Sequence, residues 1–412
     1  MKTEKRILTP VLLGGDLNAY SMAMSFADAF GVSSYVFARD KLAMTNSSSY
    51  IKLRVVKGLD DCNVAVKALT DFAKKHKNER LLLIPCADWY MEMLEYARDV
   101  LHGYFFFHIP QFEIWRATSD KASFMRLMEK YGIPHPKTAV FDESLQSFQA
   151  IGAGMKPPFV VKASDSTEYW RHPFEGMKKV YFTDTLSEAL HICKKILDSG
   201  YGGKLLLQEY VGECEGAEPP SASVLTTYSD KNGKVIRAVM GDILLEEKGA
   251  TSTGNYSAIV TRPLDKIAQK LIAFLESIGY TGIANFDILR ADGKSYCLEL
   301  NPRQGRSFDY VRCAGMSMAR LLENEFLENP QKEKFTYTDG LWRSVSWHTV
   351  KKYCGGGAVF VRADKLRKKG LWLTPYKRKA EEGIRRRLYV AIHLYRQEKN
   401  YKKLKKESAT CC

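Results

Sequence analysis

The sequence predicts a mixed fold class, α/β plus α+β: an N-terminal doubly wound parallel sheet, followed by a longer region of antiparallel sheets. Three observations predict it. Apolar strand-like runs alternate with helix-patterned segments up to about residue 115. Beyond that point, paired strand runs meet at Asn-Gly and Asp-Gly turns. The chain has 412 residues, 45% of them hydrophobic, which is enough for two or three domains with cores of their own.

The elements follow in order. "RILTPVLL" reads as a first strand, and Asp16 to Phe30 carries Met22, Phe26 and Phe30 at helical spacing. "SSYVFA" and "YIKLRVV" read as strands, Asp60 to His76 as a helix, "RLLLIPC" as a strand and Asp88 to Leu101 as a helix. The first strand-to-helix turn, "GGDLNAY", lets backbone approach a ligand at a helix N-terminus. It lacks G-x-G-x-x-G, so Asp16 and Asn18 stand equally as turn caps and as substrate contacts.

Ser119 or Asp120 caps a helix to Tyr131, ended by Gly132. "PPFVVKASDS" is a strand ending at Lys162, "KLLLQEYV" is another, and "SASVLTTYSDKNGKVIRAVMGDILLEE" is an antiparallel pair turning at Asn232-Gly233. Leu264 to Ile278 is a helix, and "TGIANFDILRADGKSYCLELN" is a hairpin. The expected division is 1–117, then 118–330 with a smaller lobe 118–203 and a larger lobe 204–330, then a basic, helical extension 331–412.

Composition excludes some classes. No run of about 18 apolar residues is present, so a membrane span is not expected. The nine cysteines are scattered and form no C-x-x-C, the usage of a reduced, cytoplasmic protein; Cys411 and Cys412 read as a frayed tail. The net charge of +15 is uneven: Lys351 to Glu407 holds 19 Lys or Arg against 5 Asp or Glu, so the main body is nearly neutral.

The hairpin carries the chemistry. Ile283, Asn285, Asp287 and Leu289 share one face of its first strand. On the second, strict alternation puts Cys297, Glu299 and Asn301 opposite Tyr296, Leu298 and Leu300. A two-residue turn at Asp292-Gly293 would pair Asp287 with Leu298; a three-residue turn would pair it with Glu299 and gather Asp287, Glu299 and Asn301 into an oxygen-rich patch suited to Mg²⁺. An open acidic strand face is the competing reading. Pro302 then ends the ladder, and Arg303 brings a fork of donors suited to a phosphoryl oxygen.

"GIANFDIL…YCLELNPRQGRS" resembles the metal-binding end of the ATP-grasp ligases, whose relatives include carbamoyl phosphate synthetase and biotin carboxylase. The ordered set of a Lys121 helix, "FVVKAS", "LQEYV" and this hairpin extends the resemblance over residues 118 to about 325. It implies an ATP-grasp fold and an ATP-dependent C–N ligase. Lys162 and Lys121 would hold nucleotide phosphates, and Gln208, Glu209, Tyr210 and Val211 would form the adenine hinge. Asp287, Glu299 and Asn301 would bind two Mg²⁺, or Mn²⁺ in its place, with Arg303 stabilising the transferring phosphoryl group. In place of the usual glycine-rich loop stands "SDSTEYWRHPFEG", where Ser164 and Ser166 would donate to phosphate and Trp170 and His172 would close over the nucleotide; surface packing competes for the last two. Glu213, Glu215 and Glu218 compete for the ribose.

The N-terminal stretch, the middle loop and the basic tail together resemble the D-aspartate ligase branch of the carboxylate–amine ligases. That implies a D-aspartate substrate and, as amine acceptor, the lysine of a UDP-MurNAc-pentapeptide in the cytoplasm. A ligase for another acid and amine is the nearer alternative; a nucleic-acid-binding protein using the basic tail is the remote one. Arg306 would take a substrate carboxylate. For the tail, with Ile384, Leu388, Ala391 and Tyr395 on one helical stripe, three readings stand: a helix on the inner face of an anionic membrane, attraction of an acidic precursor, and a solvated helix packing that stripe on the body.

Overall fold

The computed structural model describes residues 8–141, 152–212, 221–247, 254–291, 293–327, 335–376 and 383–410, with side chains as far as 403. Glu213, Glu215, Glu218, Asp292, Cys411 and Cys412 lie outside the described residues.

Strands β1 (Thr9–Leu13), β2 (Ser34–Ala38), β3 (Ile51–Val55) and β4 (Leu81–Pro85) form a parallel sheet in the order β3-β2-β1-β4. β1, β2 and β4 are almost continuously apolar because both faces are covered. Leu12 and Val36 pack with helix Leu17–Phe30 on one side; Val11, Leu13 and Phe37 pack with helices Cys62–Lys75 and Asp88–Tyr96 on the other. This is the doubly wound arrangement that the alternation predicts. The one expected helix from Asp88 to Leu101 is two, Asp88–Tyr96 and Arg98–His102, broken at Ala97.

A second sheet is antiparallel: β5 (Thr138–Phe141), β6 (Phe159–Ala163), β7 (Tyr181–Thr183) and β8 (Leu205–Glu209), in the order β5-β8-β6-β7. Helix Leu186–Asp198 covers it, begun by a capping box of Thr185 and Glu188.

The third sheet has seven strands: β9 (Ser221–Ser229), β10 (Val235–Glu246), β11 (Tyr256–Arg262), β12 (Gly282–Ala291), β13 (Lys294–Asn301), β14 (Leu341–Arg343) and β15 (Trp372–Leu373), ordered β13-β12-β9-β10-β11-β14-β15. At Gly282 (φ +87°), a Cβ would sit 2.8 Å from the His108 carbonyl oxygen, so this glycine lets the segment leaving the first sheet lie directly on the foot of β12.

Among its described residues, the basic extension holds three helices, Trp347–Tyr353, Gly357–Lys368 and Ile384–Thr410, and two short strands that were not expected. Residues 341–343 and 372–373 supply strands to the large sheet, so the segment is no separate appendage. Helix Ile384–Thr410 docks on the body, but not through the stripe the periodicity picks out. Ile384, Leu388 and Tyr395 are exposed, whereas Arg386 and Tyr401 on the other side are buried. Arg386 lies 4.2 Å over the Tyr20 ring and donates to the Met44 carbonyl oxygen at 2.8 Å; Tyr401 donates to the Glu246 carbonyl oxygen at 2.9 Å. Val390 and Leu394 pack on the core beside them, but a stacked guanidinium and hydrogen-bonded phenols hold the two ends of the contact, and hydropathy periodicity is blind to such groups.

Within that interface His393 faces Tyr376 at 3.0 Å. Burial, with the nearby charges of Arg306, Arg386 and Arg396, pushes its imidazole down to about 4 from an ordinary 6.5. The unfolded chain therefore takes up a proton near pH 6.5 that the folded chain refuses until about 4. Stability should fall as pH drops from about 6.5 to about 4, and thermal melts of His393→Gln should lack that component of the slope.

Candidate active site

The hairpin reaches its expected pairing by a different route. Ala291 pairs with Lys294, the two-residue turn that by itself would set Asp287 against Leu298. A bulge between the pairs Ile288–Cys297 and Asp287–Glu299 takes up the extra residue, Leu298, and restores Asp287 opposite Glu299 and Asn285 opposite Asn301. Strict alternation therefore fails on β13. Cys297 and Leu300 both enter the core, while Leu298 and Glu299 both line the same cavity.

Asp287 and Glu299 hydrogen-bond each other, and the Tyr256 hydroxyl donates to Asp287 at 2.9 Å. Burial and the adjacent Glu299 push the Asp287 carboxyl far above the usual carboxylate range. For Glu299, burial pushes upward too, but the ammonium groups of Lys179, Lys121 and Lys162 outweigh it and keep the group ionised. A hard cation bound between two such buried carboxylates would displace the proton they share. Among the described residues, no group of three or more His, Cys, Asp or Glu side chains could hold a metal. The patch is two carboxylates and an amide, which leaves most positions of Mg²⁺ to water and phosphate oxygens, its usual manner of binding. The donor set thus fits the metal.

Three lysines surround Glu299. Lys162, on β6, has its ammonium lowered by burial and by the like charges of Lys121 and Lys179. Lys121 follows the Asp120 cap and donates to the Ser166 hydroxyl at 2.7 Å. Lys179, just before β7, was not singled out from the sequence; the Glu299 carboxylate raises its ammonium against burial, with Asp287 adding to it. Lys162, Lys179, Glu209, Val211, Tyr256, Asp287 and Glu299 line one cavity of about 360 Å³, together with Gln208 and Tyr210. Cations on one wall and an apolar strand edge on another suit a nucleotide polyphosphate. Lys179→Met should weaken binding of a nucleoside triphosphate about tenfold or more; calorimetric titration with ATP would check it.

Beside it lies a wider cavity of about 630 Å³, lined by Asp88, Trp170, Lys179, Glu299, Asn301 and Arg303 among others. Arg303 makes a bidentate fork with Asp88, 2.7 and 2.6 Å. Burial opposes ionisation of Asp88, but the facing guanidinium holds its carboxyl below the usual range. Asp88 begins a helix at the carboxyl end of β4, and it was missed in the sequence. The signal was topological, because ligand sites in doubly wound sheets lie outside the carboxyl ends of the strands.

The other expected residues separate into groups. Ser166 lines both cavities, but the Ser164 hydroxyl is buried and donates to Asp120 while accepting from the Ala122 N–H at 3.0 Å. The expected phosphate-binding loop contains a helix, Ser166–Arg171, capped by Asp165. Trp170 lines both cavities, while His172 contacts Glu168 at 2.8 Å. Gln208 donates to Thr138 at 2.9 Å, and the Glu209 N–H donates to the Lys137 carbonyl oxygen at 2.9 Å. Asp16 accepts from the N–H groups of Asn18 and Ala19, and Asn18 donates to the carbonyl oxygens of Cys86 and Gln304 at 3.0 Å each. Both thus serve the turn, and Asn18 ties it to the residue after Arg303. The Arg306 guanidinium pairs with Glu247.

No protein-family model matches the chain. It is 29% identical to D-aspartate ligase of Enterococcus faecium over 97% of both chains. Among solved structures it is similar to the biotin carboxylase domain of Hydrogenobacter thermophilus 2-oxoglutarate carboxylase, crystallised with MgADP and bicarbonate (TM-score 0.63, 14% identity, 82% of this chain and 74% of that one). It is similar as well to the ADP complex of N5-carboxyaminoimidazole ribonucleotide synthetase (TM-score 0.57, 15% identity, 82% of each chain). The chain has the ATP-grasp fold and resembles D-aspartate ligase over nearly its whole length.

Proposed function

We propose that this ligase activates D-aspartate with ATP and joins it to the lysine side chain of a peptidoglycan precursor, a UDP-MurNAc-pentapeptide, in the cytoplasm. The observation that carries the reading is the Asp287–Glu299 pair, set between three lysines and Arg303 where the two cavities meet. The full-length likeness to D-aspartate ligase supports the choice of acid.

The smaller cavity takes the nucleotide. Base contacts fall to the Glu209 carbonyl, since its N–H is already donated, and to the Val211 amide. Lys121, Lys162 and Lys179 hold the phosphates. Asp287, Glu299 and Asn301 would hold Mg²⁺, one or two ions, which would supply neutralisation of charge on the nucleotide phosphates. The amino-acid carboxylate enters the wider cavity, and one of its oxygens attacks the γ-phosphorus as the bond to ADP breaks. Arg303, turning from Asp88, places its fork on the oxygens that gain charge. The neutral amine nitrogen then forms a bond to the acyl carbon. Inorganic phosphate leaves with the C–O bonding pair, and the nitrogen loses a proton.

The test is ADP and phosphate release across a panel of amino acids, with and without the precursor, using the Glu299→Ala variant as background. Release that requires both D-aspartate and the lysine-containing precursor supports the reading. Turnover with a different acid or amine keeps the ligase and removes the cross-bridge role.

A further inference from the structure

The outer face of helix Ile384–Thr410 is a surface that the ligase reaction does not use. Ile384 is 85% exposed, Leu388 61%, Ile392 42% and Tyr395 69%. Spacings of four, four and three put these side chains in one row, about 16 Å long at 1.5 Å per residue. The helix cannot roll this row inward, because its opposite side is committed. Arg386 is held on Tyr20 and Met44, His393 on Tyr376, and Tyr401 on Glu246 and Ser257. The apolar row is therefore displayed by the packing and is not left over from a loose tail.

Charge identifies the partner. The helix sequence has nine Lys or Arg against Glu398 and Glu407. Arg385 and Arg396 border the apolar row on one side and Arg387 on the other, where Glu398 is paired with His348 and Lys352; Lys399 and Lys402 continue its line. A second copy of the chain would bring the same positive charge to the contact. A nucleic acid would satisfy the cations and leave the aliphatic row in water. An anionic lipid surface answers both, with headgroups for the basic flanks and the acyl boundary for Ile384, Leu388, Ile392 and Tyr395. Among the described residues, no helix is long and apolar enough to cross a membrane, so such contact would be peripheral.

We propose that this face docks the protein reversibly on an anionic bilayer, the helix lying flat in the headgroup layer with its buried side still on the body. The proposal does not depend on the identity of the acid or amine. The test is co-sedimentation of the full chain with vesicles of phosphatidylglycerol mixed with phosphatidylcholine, against phosphatidylcholine alone, at low and high salt. We expect binding to the anionic vesicles at least about tenfold above the neutral ones, weakened by salt. A Leu388→Gln, Ile392→Gln double variant should lose about tenfold or more of that binding. Because both side chains are exposed, its thermal melt and ADP formation should match the parent. Tyr395→Ser gives a second, independent loss.

No binding to anionic vesicles would overturn the proposal. So would double-variant binding equal to the parent's, which would reduce the effect to charge alone. A dimer in vesicle-free sedimentation that the double variant dissolves would assign the face to a second copy. Equally tight binding of polyuridylic acid, unchanged in the double variant, would assign it to nucleic acid.

Discussion

Glu299→Gln should cut ADP formation by about 10³-fold without unfolding the protein. Glutamine keeps the shape and can still hydrogen-bond Asp287, so β13 should hold its register through the bulge. What it removes is the negative charge that three ammonium groups face. Calorimetry should separate the consequences: nucleotide binding without divalent metal should persist or tighten, because the lysines lose their internal counter-ion. The extra affinity conferred by Mg²⁺ should vanish. If the variant turns over at the parental rate, the acidic pair is only a structural neighbour of the lysines.

Arg303→Lys should lower kcat by about 10²- to 10³-fold with a much smaller change in the KM for ATP. Lysine keeps the charge but not the planar fork, which in this structure spans both Asp88 oxygens. Asp88→Asn tells the two roles of the arginine apart. If Arg303 acts on the phosphoryl group, Asp88→Asn should cost far less than Arg303→Lys. If the arginine only fastens the β12–β13 hairpin to the helix after β4, the two variants should fall equally, and thermal melts should show the shared loss.

The acidic patch was readable because three oxygen-bearing side chains recur at strand spacing on both sides of an obvious turn. The means of aligning them was not. Turn length alone predicts either the wrong pairing or the wrong turn; the answer was a bulge at Leu298, set by Cys297 and Leu300 both entering the core. Lys179 and Asp88 escaped for a related reason. Each sits just beside a strand, in no repeating pattern, and gains its meaning from elements more than 80 residues away. The parallel sheet and its two covered faces followed directly from strand hydropathy, whereas the docked side of the final helix did not, since arginine, tyrosine and histidine share that contact with only two aliphatic side chains, Val390 and Leu394.

The placement of β14 and β15 bears on how this chain tolerates shortening. A chain stopped near residue 330 would lose the two strands that cap the large sheet beyond β11. Tyr256–Arg262 would become an open edge, with its ladder groups unpaired along a largely apolar strand. Self-association into insoluble material would be the expected outcome, whatever the basic helix does. The positively charged end of the sequence thus covers an edge of the β-rich core, and its removal would report on solubility before it reported on any partner.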